Sequence, residues 1–488
     1  MTILFDNSYA ALPDRFYARI EPSAAKAPEL VKVNEALARR LGLGLGWLRS
    51  PDGVQFLSGK KIAPGSEPIA MAYAGHQFGH FVPQLGDGRA ILLGEIVTPE
   101  GPRFDLHLKG AGRTPFSRGG DGKAALGPIL REYVVSEAMA ALGVPTTRAL
   151  AALTTGESVF RERTLQGAVI VRVASSHIRV GTFQYFAARR DHEAVRMLAN
   201  YVIKRHYPDA AAAERPYRAL LDAVIVAQAK LIARWLAVGF IHGVMNTDNS
   251  AISGETIDYG PCAFMDTYHP AAVFSSIDRQ GRYAYGNQPE MALWNLTRFA
   301  ETLLPLLGED QGIALADAEE ALDAFAPAFH AEYISGFRRK LGLATEREED
   351  SDLIQGLLGA MDLNQVDFTL LFRRLADAIE PQGETFAREL FVDPQKFDEW
   401  VLKWRARIAL EPQGTNRREA MLCVNPAYIP RNHRVQAMIE SAVDDGDFGP
   451  FEELLQVLSK PFEARPEFAR YEDPPQPEER VLATFCGT

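Results

Sequence analysis

The chain has 488 residues, of which 47% are hydrophobic and 24% charged, a composition that excludes a wholly disordered protein. At roughly 100–200 residues per domain, this length corresponds to a few domains or to one large bilobal enzyme. With 52 basic and 63 acidic residues, the net charge of −11 argues against a general binder of nucleic acids or anionic membranes.

The first half of the chain is predicted to combine strands with short helices. Helical spacing over residues 28–41 ends at Gly42, a glycine typical of a helix C-terminus. Lys109 ends a predicted strand in which apolar and polar residues alternate, and it therefore lies on the polar face. The further elements predicted here are strands 89–97 and 103–109, helix 126–142, and strands 149–153 and 168–174.

The second half is predicted to be largely helical. Pro327 is expected to kink or split the fourth of its helices. An irregular stretch, 241–285, is rich in Gly, Asn and Asp and is placed for function. A β-rich part followed by a helical part predicts an α+β fold with two lobes. The predicted helices are 191–206, 217–239, 291–307, 315–341, 351–379 and 394–410.

The N-terminus and the cysteine content favour a cytoplasmic location. Residues 1–11 lack a basic segment followed by an apolar run, so they do not resemble a secretory or transit signal. The longest apolar stretch, 217–240, is interrupted by charged residues and is typical of a core helix. Three cysteines cannot form a disulfide framework and favour a reducing compartment. We expect neither nucleic acid nor membrane as a partner.

The irregular stretch carries half of a protein-kinase metal site. Kinases bind Mg²⁺ through the Asn of a His-Arg-Asp-x-x-x-x-Asn motif and the Asp of Asp-Phe-Gly. With His242 in the His position, Asn249 falls on the metal-binding Asn, and Asp258 falls on the Asp of an Asp-Tyr-Gly sequence. Val244 occupies the position of the usual catalytic base. Asp248 is adjacent to Asn249 and could supply a carboxylate from another direction.

The first half carries the complementary nucleotide-binding pattern. Gly86, Gly88 and Arg89 open a strand, as expected of a loop whose backbone N–H groups approach phosphate oxygens. Lys109 on the next strand and Glu132 in the following helix stand in the order of the kinase Lys–Glu ion pair. If Arg172 and Arg179 come close together, they could clamp a phosphate.

Over nearly its whole length the chain resembles the SelO (YdiU, selenoprotein O) family of pseudokinase-fold proteins. The resemblance predicts a protein kinase-like bilobal α+β fold with extensions. It is carried by segments 74–79 (Ala-Gly-His-Gln-Phe-Gly), 83–89 (Pro-Gln-Leu-Gly-Asp-Gly-Arg), 108–122 (beginning Leu-Lys-Gly-Ala-Gly-Arg), 242–249 (His-Gly-Val-Met-Asn-Thr-Asp-Asn), 258–261 (Asp-Tyr-Gly-Pro) and 425–426 (Asn-Pro). We expect an N-terminal extension over 1–65, an N-lobe over 66–188, a C-lobe over 189–430 and a C-terminal extension and tail over 431–488.

The resemblance implies a protein adenylyltransferase, which binds ATP in a flipped orientation and transfers AMP to Ser, Thr or Tyr hydroxyls of proteins. Some members also transfer UMP with manganese. By position, Asp248 would be the proton acceptor, Asn249 and Asp258 would bind Mg²⁺ or Mn²⁺, and Glu132 would orient Lys109. Contacts to the nucleotide and its phosphates are implied for Gly86, Gly88, Arg89, Lys109, Asp121, Gly122, Arg172 and Arg179.

Two alternatives remain open from the sequence. The first is a true protein kinase in which Asp248 replaces the missing base, a reading weakened by Val244. The second is a catalytically inactive nucleotide-binding pseudokinase that regulates a partner. A scaffold has no physical need for Lys109, Glu132 and the two metal-site residues together, which argues against this second reading.

The C-terminal tail departs from the family pattern. Members often carry a selenocysteine or cysteine near the end, sometimes in a pair spaced by two residues. Here Cys486 stands third from the end and position 483 is Ala, so the dithiol version is absent. Cys486 is either a free thiol or the partner of Cys262 or Cys423 in a redox-switched tail.

Overall fold

The protein is described by a computed structural model over residues 3–412 and 416–485, so Cys486 lies outside the described residues. Cys262 is buried and Cys423 exposed, and both are free thiols. The strands, in chain order, are β1 Tyr17–Arg19, β2 Glu29–Val33, β3 Ile69–Met71, β4 Gly75–Gln77, β5 His80–Val82, β6 Ala90–Val97, β7 Arg103–Lys109, β8 Ala124–Ala125, β9 Arg148–Phe160, β10 Thr164–Ala174, β11 Phe240–Ile241 and β12 Ala263–Phe264.

Eight of these strands form one antiparallel sheet in the order β1-β3-β6-β7-β10-β9-β2, with β8 paired to β10. Two small sheets, β4–β5 and β11–β12, stand apart from it. The predicted strands 89–97 and 103–109 are confirmed as β6 and β7. The predicted strands 149–153 and 168–174 are the buried segments of the longer hairpin β9–β10, whose remaining residues are more exposed and lack the apolar run.

Helices dominate after residue 180, so the fold is a mixed α and β architecture. Among the described residues, none of the helices is both long and apolar enough to cross a membrane. The helices are α1 Glu35–Arg40, α2 Leu45–Leu48, α3 Pro51–Leu57, α4 Leu126–Ala141, α5 Val180–Ala187, α6 His192–His206, α7 Pro216–Ala237, α8 Gln288–Leu307, α9 Gln311–Asp323, α10 Phe325–Lys340, α11 Asp350–Asn364, α12 Phe368–Asp377, α13 Glu384–Arg388, α14 Pro394–Ile408, α15 Arg417–Leu422, α16 Asn432–Glu440 and α17 Gly449–Leu458.

The predicted helix over 28–41 is wrong in its first half. Residues 29–33 form strand β2, which pairs with the edge of β9. The helix begins only after Asn34, whose side chain accepts a hydrogen bond from Leu37 N at 3.1 Å and caps the first turn. The apolar residues of 29–33 fit either period, and pairing with β9 decides between them. Gly42, with φ of 72°, follows α1 as predicted.

Two long predicted helices are each divided in two. The segment 315–341 breaks at Ala324, and Pro327 lies in the first turn of α10, where a missing N–H is tolerated. The segment 351–379 was expected to be continuous, but Gln365 adopts a left-handed φ of 52° and ends α11. Asp367 then caps α12 by accepting from Leu370 N at 2.8 Å. The helix ends at Ala324 and Gln365 thus interrupt two segments whose apolar residues repeat with a period of 3.6 residues.

Helix α4 packs between the large sheet and the C-terminal helices α16 and α17. Its buried residues Ile129, Tyr133 and Val134 share one apolar cluster with strands β9 and β10 and with α16 and α17. Gly127 lies so close to α16 that a Cβ there would stand 2.9 Å from Ile439 Cγ2. Helix α4 is therefore held on both faces, and the polar side chains that it carries inward are fixed.

Candidate functional site

Five charged side chains from separate parts of the chain meet in one place, named here the charged cluster. On the sheet, β7 and β10 pair so that His107 stands opposite Arg172. Lys109 lies two residues beyond His107 and projects from the same face as Arg172, because side chains alternate along a strand. The cluster consists of Lys109 at the end of β7, Glu132 in α4, Arg172 in β10, Arg179 just before α5, and Asp258 in the loop between β11 and β12.

The cluster is connected by direct ion pairs. Lys109 Nζ lies 2.6 Å from Glu132 Oε2, and Glu132 Oε1 accepts from Arg172 Nε. Arg172 Nη2 lies 2.5 Å from Asp258 Oδ1, and Arg179 Nη1 lies 3.2 Å from Asp258 Oδ2. Lys109 Nζ stands 3.9 Å from Asp258 Oδ1. The ion pair between Lys109 and Glu132 that the motif order predicts is present, and Asp258 joins it to both arginines.

Burial and charge set the ionisation of the cluster. Burial would raise the pKa of the Asp258 carboxyl, but Arg172, Arg179 and Lys109 hold that pKa well below its usual range. Burial likewise opposes ionisation of Glu132, whose pKa is lowered by Arg172 and Lys109. Burial and then Arg172 lower the pKa of the Lys109 ammonium. Three cations thus face two carboxylates, which leaves a positive excess suited to an anion.

The backbone at Asp258 is held in an unusual conformation. Its φ of 59° is left-handed, a region in which Asp and Asn are tolerated better than bulkier residues. Arg131 of α4 donates to the carbonyls of Gly260, at 3.2 Å, and of Cys262. Helix α4 thus fixes the segment after Asp258 as well as Lys109. Arg131 was missed by sequence reasoning because a helix arginine beside Glu132 carries no motif of its own.

Asp248 and Asn249 lie on the short helical turn Thr247–Asn249. Asn249 Nδ2 donates to Val244 O at 2.9 Å, which fixes the side-chain amide. Asp248 is 9% exposed, and its Oδ1 has no hydrogen-bond partner among the described residues. Burial raises the pKa of Asp248 to about 6, so it is mostly ionised at neutral pH. Its main-chain carbonyl accepts from Arg179 Nη1 at 2.9 Å, which ties it to the charged cluster.

Asp258 and Asn249 carry the oxygen atoms that the kinase-like motif assigns to a divalent cation. Asp258 offers carboxylate oxygens and Asn249 an amide oxygen, and Mg²⁺ and Mn²⁺ prefer such hard ligands. Over residues 3–412 and 416–485 there is no group of three or more His, Cys, Asp and Glu arranged to hold a metal. Mg²⁺ commonly uses one or two protein oxygens and completes its shell with phosphates and water. The residues present therefore fit a nucleotide-linked cation.

The predicted glycine loop is anchored to the segment that follows β7. Gly86 has a φ of 69°, and a Cβ there would lie 2.3 Å from the Phe116 ring. The Gly88 carbonyl accepts from Ser117 Oγ. Between them, Asp87 is buried and accepts from Met71 N at 3.0 Å. Arg89 lies beside the end of β7, since its carbonyl accepts from Gly110 N at 2.8 Å.

Asp121 and Gly122 are engaged elsewhere in this structure. The Asp121 carboxylate pairs with Arg161, with N–O distances of 2.8 and 3.0 Å, and accepts from Lys123 N. Gly122 has a φ of 68° and packs against the Gly112 carbonyl. Among the described residues, no hydrogen bond or ion pair joins either residue to the charged cluster. Their role in nucleotide binding stays a prediction from the family resemblance.

A second buried network, which sequence reasoning also missed, supports the charged cluster. His107 and His177 stack with ring centres 4.1 Å apart. His107 Nε2 lies 3.2 Å from Asp87 Oδ2, and His177 Nδ1 lies 3.0 Å from Asp105 Oδ2. Strand β7 thus carries its polar residues into the interior, whereas the alternation alone indicated only a polar face. Tyr73 adds a cation–π contact, its ring 4.4 Å from the Arg179 guanidinium.

Replacing Glu132 is expected to destabilise the protein and to weaken its activity. In Glu132→Gln, Lys109 and Arg172 stay buried with only Asp258 to balance them, and a broken buried ion pair costs on the order of 3 kcal/mol. Chemical denaturation should show this loss. Glu137→Gln is the matched control, since Glu137 lies in the same helix and pairs with the partly exposed Arg148 at 2.6 Å. Equal loss of activity in both variants would contradict a specific role for Glu132.

Comparison with known proteins identifies the family of the chain. The family profile described as "Protein adenylyltransferase SelO" matches residues 1–459. A relative from Bradyrhizobium sp. (strain ORS 278), named protein nucleotidyltransferase YdiU, is 63% identical over 485 residues, 99% of both chains. Relatives of the same name from Rhodopseudomonas palustris (strain BisB5) and Bradyrhizobium diazoefficiens are 63% and 62% identical, again over 99% of both chains.

The chain therefore belongs to the SelO family of protein adenylyltransferases. It is an enzyme, a protein nucleotidyltransferase of that family.

Proposed function

We propose that the protein transfers AMP from ATP to Ser, Thr or Tyr hydroxyls of other proteins and releases pyrophosphate. The observation that carries this proposal is the charged cluster, where three cations surround Asp258 while Asp248, with its unpartnered carboxylate oxygen, stands next to it. The cations of the charged cluster suit a triphosphate. Asp248 suits the role of a proton acceptor that lies outside the position of the kinase base, which here holds Val244.

The phosphates would be held by the cations of the cluster. Lys109, Arg172 and Arg179 would meet the β- and γ-phosphates of a nucleotide bound in the flipped orientation. Nearer the loops, Gly86 and Gly88 would offer backbone N–H groups, and Arg89 a further positive charge. The resemblance adds Asp121 and Gly122, which would have to turn toward the nucleotide. Glu132 would keep Lys109 in place.

Asn249 and Asp258 would hold Mg²⁺ or Mn²⁺. When bound, the cation neutralises charge on the nucleotide phosphates. Asp258 pairs with both arginines, which would keep their guanidinium groups together for phosphate oxygens. On nucleotide arrival the two guanidinium groups would donate to phosphate in place of part of their contact with Asp258, so that Asp258 would become available to the cation.

Asp248 would remove the proton from the acceptor hydroxyl. The hydroxyl oxygen forms a bond to the α-phosphorus, the bond from that phosphorus to the bridging oxygen breaks, and pyrophosphate leaves with its charge balanced by Lys109 and the arginines. General-base catalysis of this kind contributes about 10²–10⁴-fold to the rate. The geometry does not select the base of the nucleotide, and UMP transfer from UTP falls under the same mechanism.

A kinase-like bilobal arrangement fits the order of the elements. We propose the N-lobe over 66–188 and the C-lobe over 189–430, flanked by the extensions 1–65 and 431–488. Support comes from the ion pair between a strand lysine and a helix glutamate, placed before a metal-binding loop. The small number of cysteines supports a cytoplasmic location, where ATP and protein acceptors are available.

The decisive experiment labels ATP on either the α- or the γ-phosphate. Purified protein is incubated with Mg²⁺ or Mn²⁺ and a generic protein acceptor, and label on the acceptor is measured. We expect transfer from the α position only. Transfer from the γ position would make the protein a kinase that uses Asp248 as its base. Bound ATP without transfer of either label would identify a regulatory nucleotide-binding protein.

A further inference from the structure

A surface of arginine and aromatic side chains lies next to Asp248 and has no part in the chemistry described so far. Two guanidinium carbons, of Arg282 and Arg298, lie 4.9 and 5.2 Å from the ring centre of Trp294. The His76 ring meets the same indole edge-on at 5.2 Å. Phe81, which is 40% exposed, packs against His76 at 4.9 Å. We name these five residues the arginine–tryptophan patch.

The patch is fastened to the loop that carries Asp248. His76 and Phe81 belong to the β4–β5 hairpin, which pairs His76 with Phe81. His76 N donates to Thr247 Oγ1 at 2.7 Å, and Phe78 N donates to Asn246 Oδ1 at 3.0 Å. The hairpin approaches so closely that a Cβ at Gly75 would lie 2.5 Å from Asp248 Oδ1. A group bound on the patch is thus held at a fixed distance from Asp248.

Asp248 separates the patch from the charged cluster. Its main-chain carbonyl accepts from Arg179 of the cluster, while its carboxylate faces Gly75 of the hairpin. A nucleotide whose phosphates meet Lys109, Arg172 and Arg179 would lie on the cluster side of Asp248. The second substrate has to reach Asp248, and the patch lies on the opposite side of that residue, where the hairpin packs against its carboxylate.

The charge of the patch is incompletely balanced. Arg298 pairs with Glu301 at 2.7 Å, but Arg282 has no carboxylate within salt-bridge distance among the described residues. The nearest acid in sequence, Asp278, uses its carboxylate on the backbone N–H groups of Arg282 and Tyr283. The Nε atoms of Arg282 and Arg298 are buried and lack hydrogen-bond partners within residues 3–412 and 416–485. The patch therefore carries an excess of positive charge, although the net charge of the protein is −11.

We propose that the arginine–tryptophan patch binds an acidic segment of the acceptor protein, next to the hydroxyl that is modified. The inference rests on the proposed function and names its acceptor class. Carboxylates of the acceptor would pair with Arg282 and Arg298, and its apolar side chains would lie on Phe81 and Trp294. Aromatic and arginine side chains are the residues enriched at protein interfaces, and charge complementarity selects the partner.

The test uses matched peptides, each with one Ser flanked by Asp and Glu, by Asn and Gln, or by Lys. With α-labelled ATP, the wild type should modify the acidic peptide with a kcat/KM about fivefold above that of the amide peptide, through a lower KM. Arg282→Glu should reverse the order and favour the Lys peptide. Arg282→Gln should remove the preference without reversing it. This milder variant tests the proposal even if Arg282→Glu fails to fold. Arg39→Glu on exposed α1 carries the same charge change and should keep the wild-type order.

Equal modification of all three peptides by the wild type would overturn the proposal, as would an unchanged preference in Arg282→Glu. Either result would leave the proposed function standing, because label would still move from the α position. Absence of α-label on every peptide and protein acceptor would overturn both the proposed function and the acceptor site.

Discussion

Asp258→Asn is expected to lower kcat/KM for AMP transfer by about 10²–10³-fold, the loss typical when one preorganised electrostatic contribution to the transition state is removed. Asn has the same shape as Asp and tolerates the left-handed φ of 59° at this position. The variant therefore removes one negative charge without a backbone clash. Affinity for the nucleotide in the presence of Mg²⁺ should fall with it, since a metal ligand is weakened. Transfer of α-label and nucleotide titration measure the two effects.

The control for this variant is Asp266→Asn. Asp266 lies on the same segment, eight residues further on, and pairs with buried Arg431 at 2.6 Å. Its loss should lower the stability while the rate of transfer per folded molecule stays within about threefold. Normal metal-dependent nucleotide binding by Asp258→Asn would refute the assignment of Asp258 as a metal ligand.

Asp248→Asn is expected to slow AMP transfer by about 10²–10⁴-fold while nucleotide affinity stays close to the wild-type value. The amide cannot accept the hydroxyl proton, whereas the charged cluster that would hold the phosphates is unchanged. The same variant should unfold at a higher temperature than the wild type. A buried carboxylate oxygen without a partner destabilises the folded state, and a neutral side chain of equal size removes that charge.

The combination of a slower reaction and a higher melting temperature separates a catalytic role from a structural one. A residue that only supports the loop would lose both activity and stability when replaced. Near-normal transfer of α-label by Asp248→Asn would show that another group accepts the proton. Unfolding followed by calorimetry and single-turnover transfer provide the two readouts.

The sequence predicts the residues of the charged cluster better than the surroundings that hold them. Lys109, Glu132 and Asp258 could be found because their order along the chain follows a known pattern, and the structure brings the Lys109 ammonium within ion-pair distance of both carboxylates. Arg131 could not be found, since its partners are two backbone carbonyls about 130 positions away. Every residue type has a main-chain carbonyl, so the sequence does not reveal which residue accepts such a hydrogen bond.

The errors in secondary structure have a similar origin. Residues 29–33 are ambiguous between helix and strand, and the choice depends on the edge of β9, more than 110 positions away. The division of 351–379 depends on one left-handed residue, Gln365, whose type does not announce that conformation. The polar face of β7 was predicted from the alternation. Its burial could not be predicted, because His107 on that face stacks on His177, which lies 70 positions further along the chain.

The double-sided packing of α4 also sets a time order on the ribosome. The inner face of α4 packs on β9 and β10, which are synthesised soon after it, whereas its outer face packs on Phe451, Leu454 and their neighbours, more than 300 positions later. Until those residues emerge, Tyr133, whose ring centre lies 5.6 Å from that of Phe451, lacks this partner, and the helix that carries Glu132 and Arg131 lacks the packing of its outer face. A nascent chain is therefore expected to acquire its transferase activity only after residues 449–458 of α17 have been synthesised.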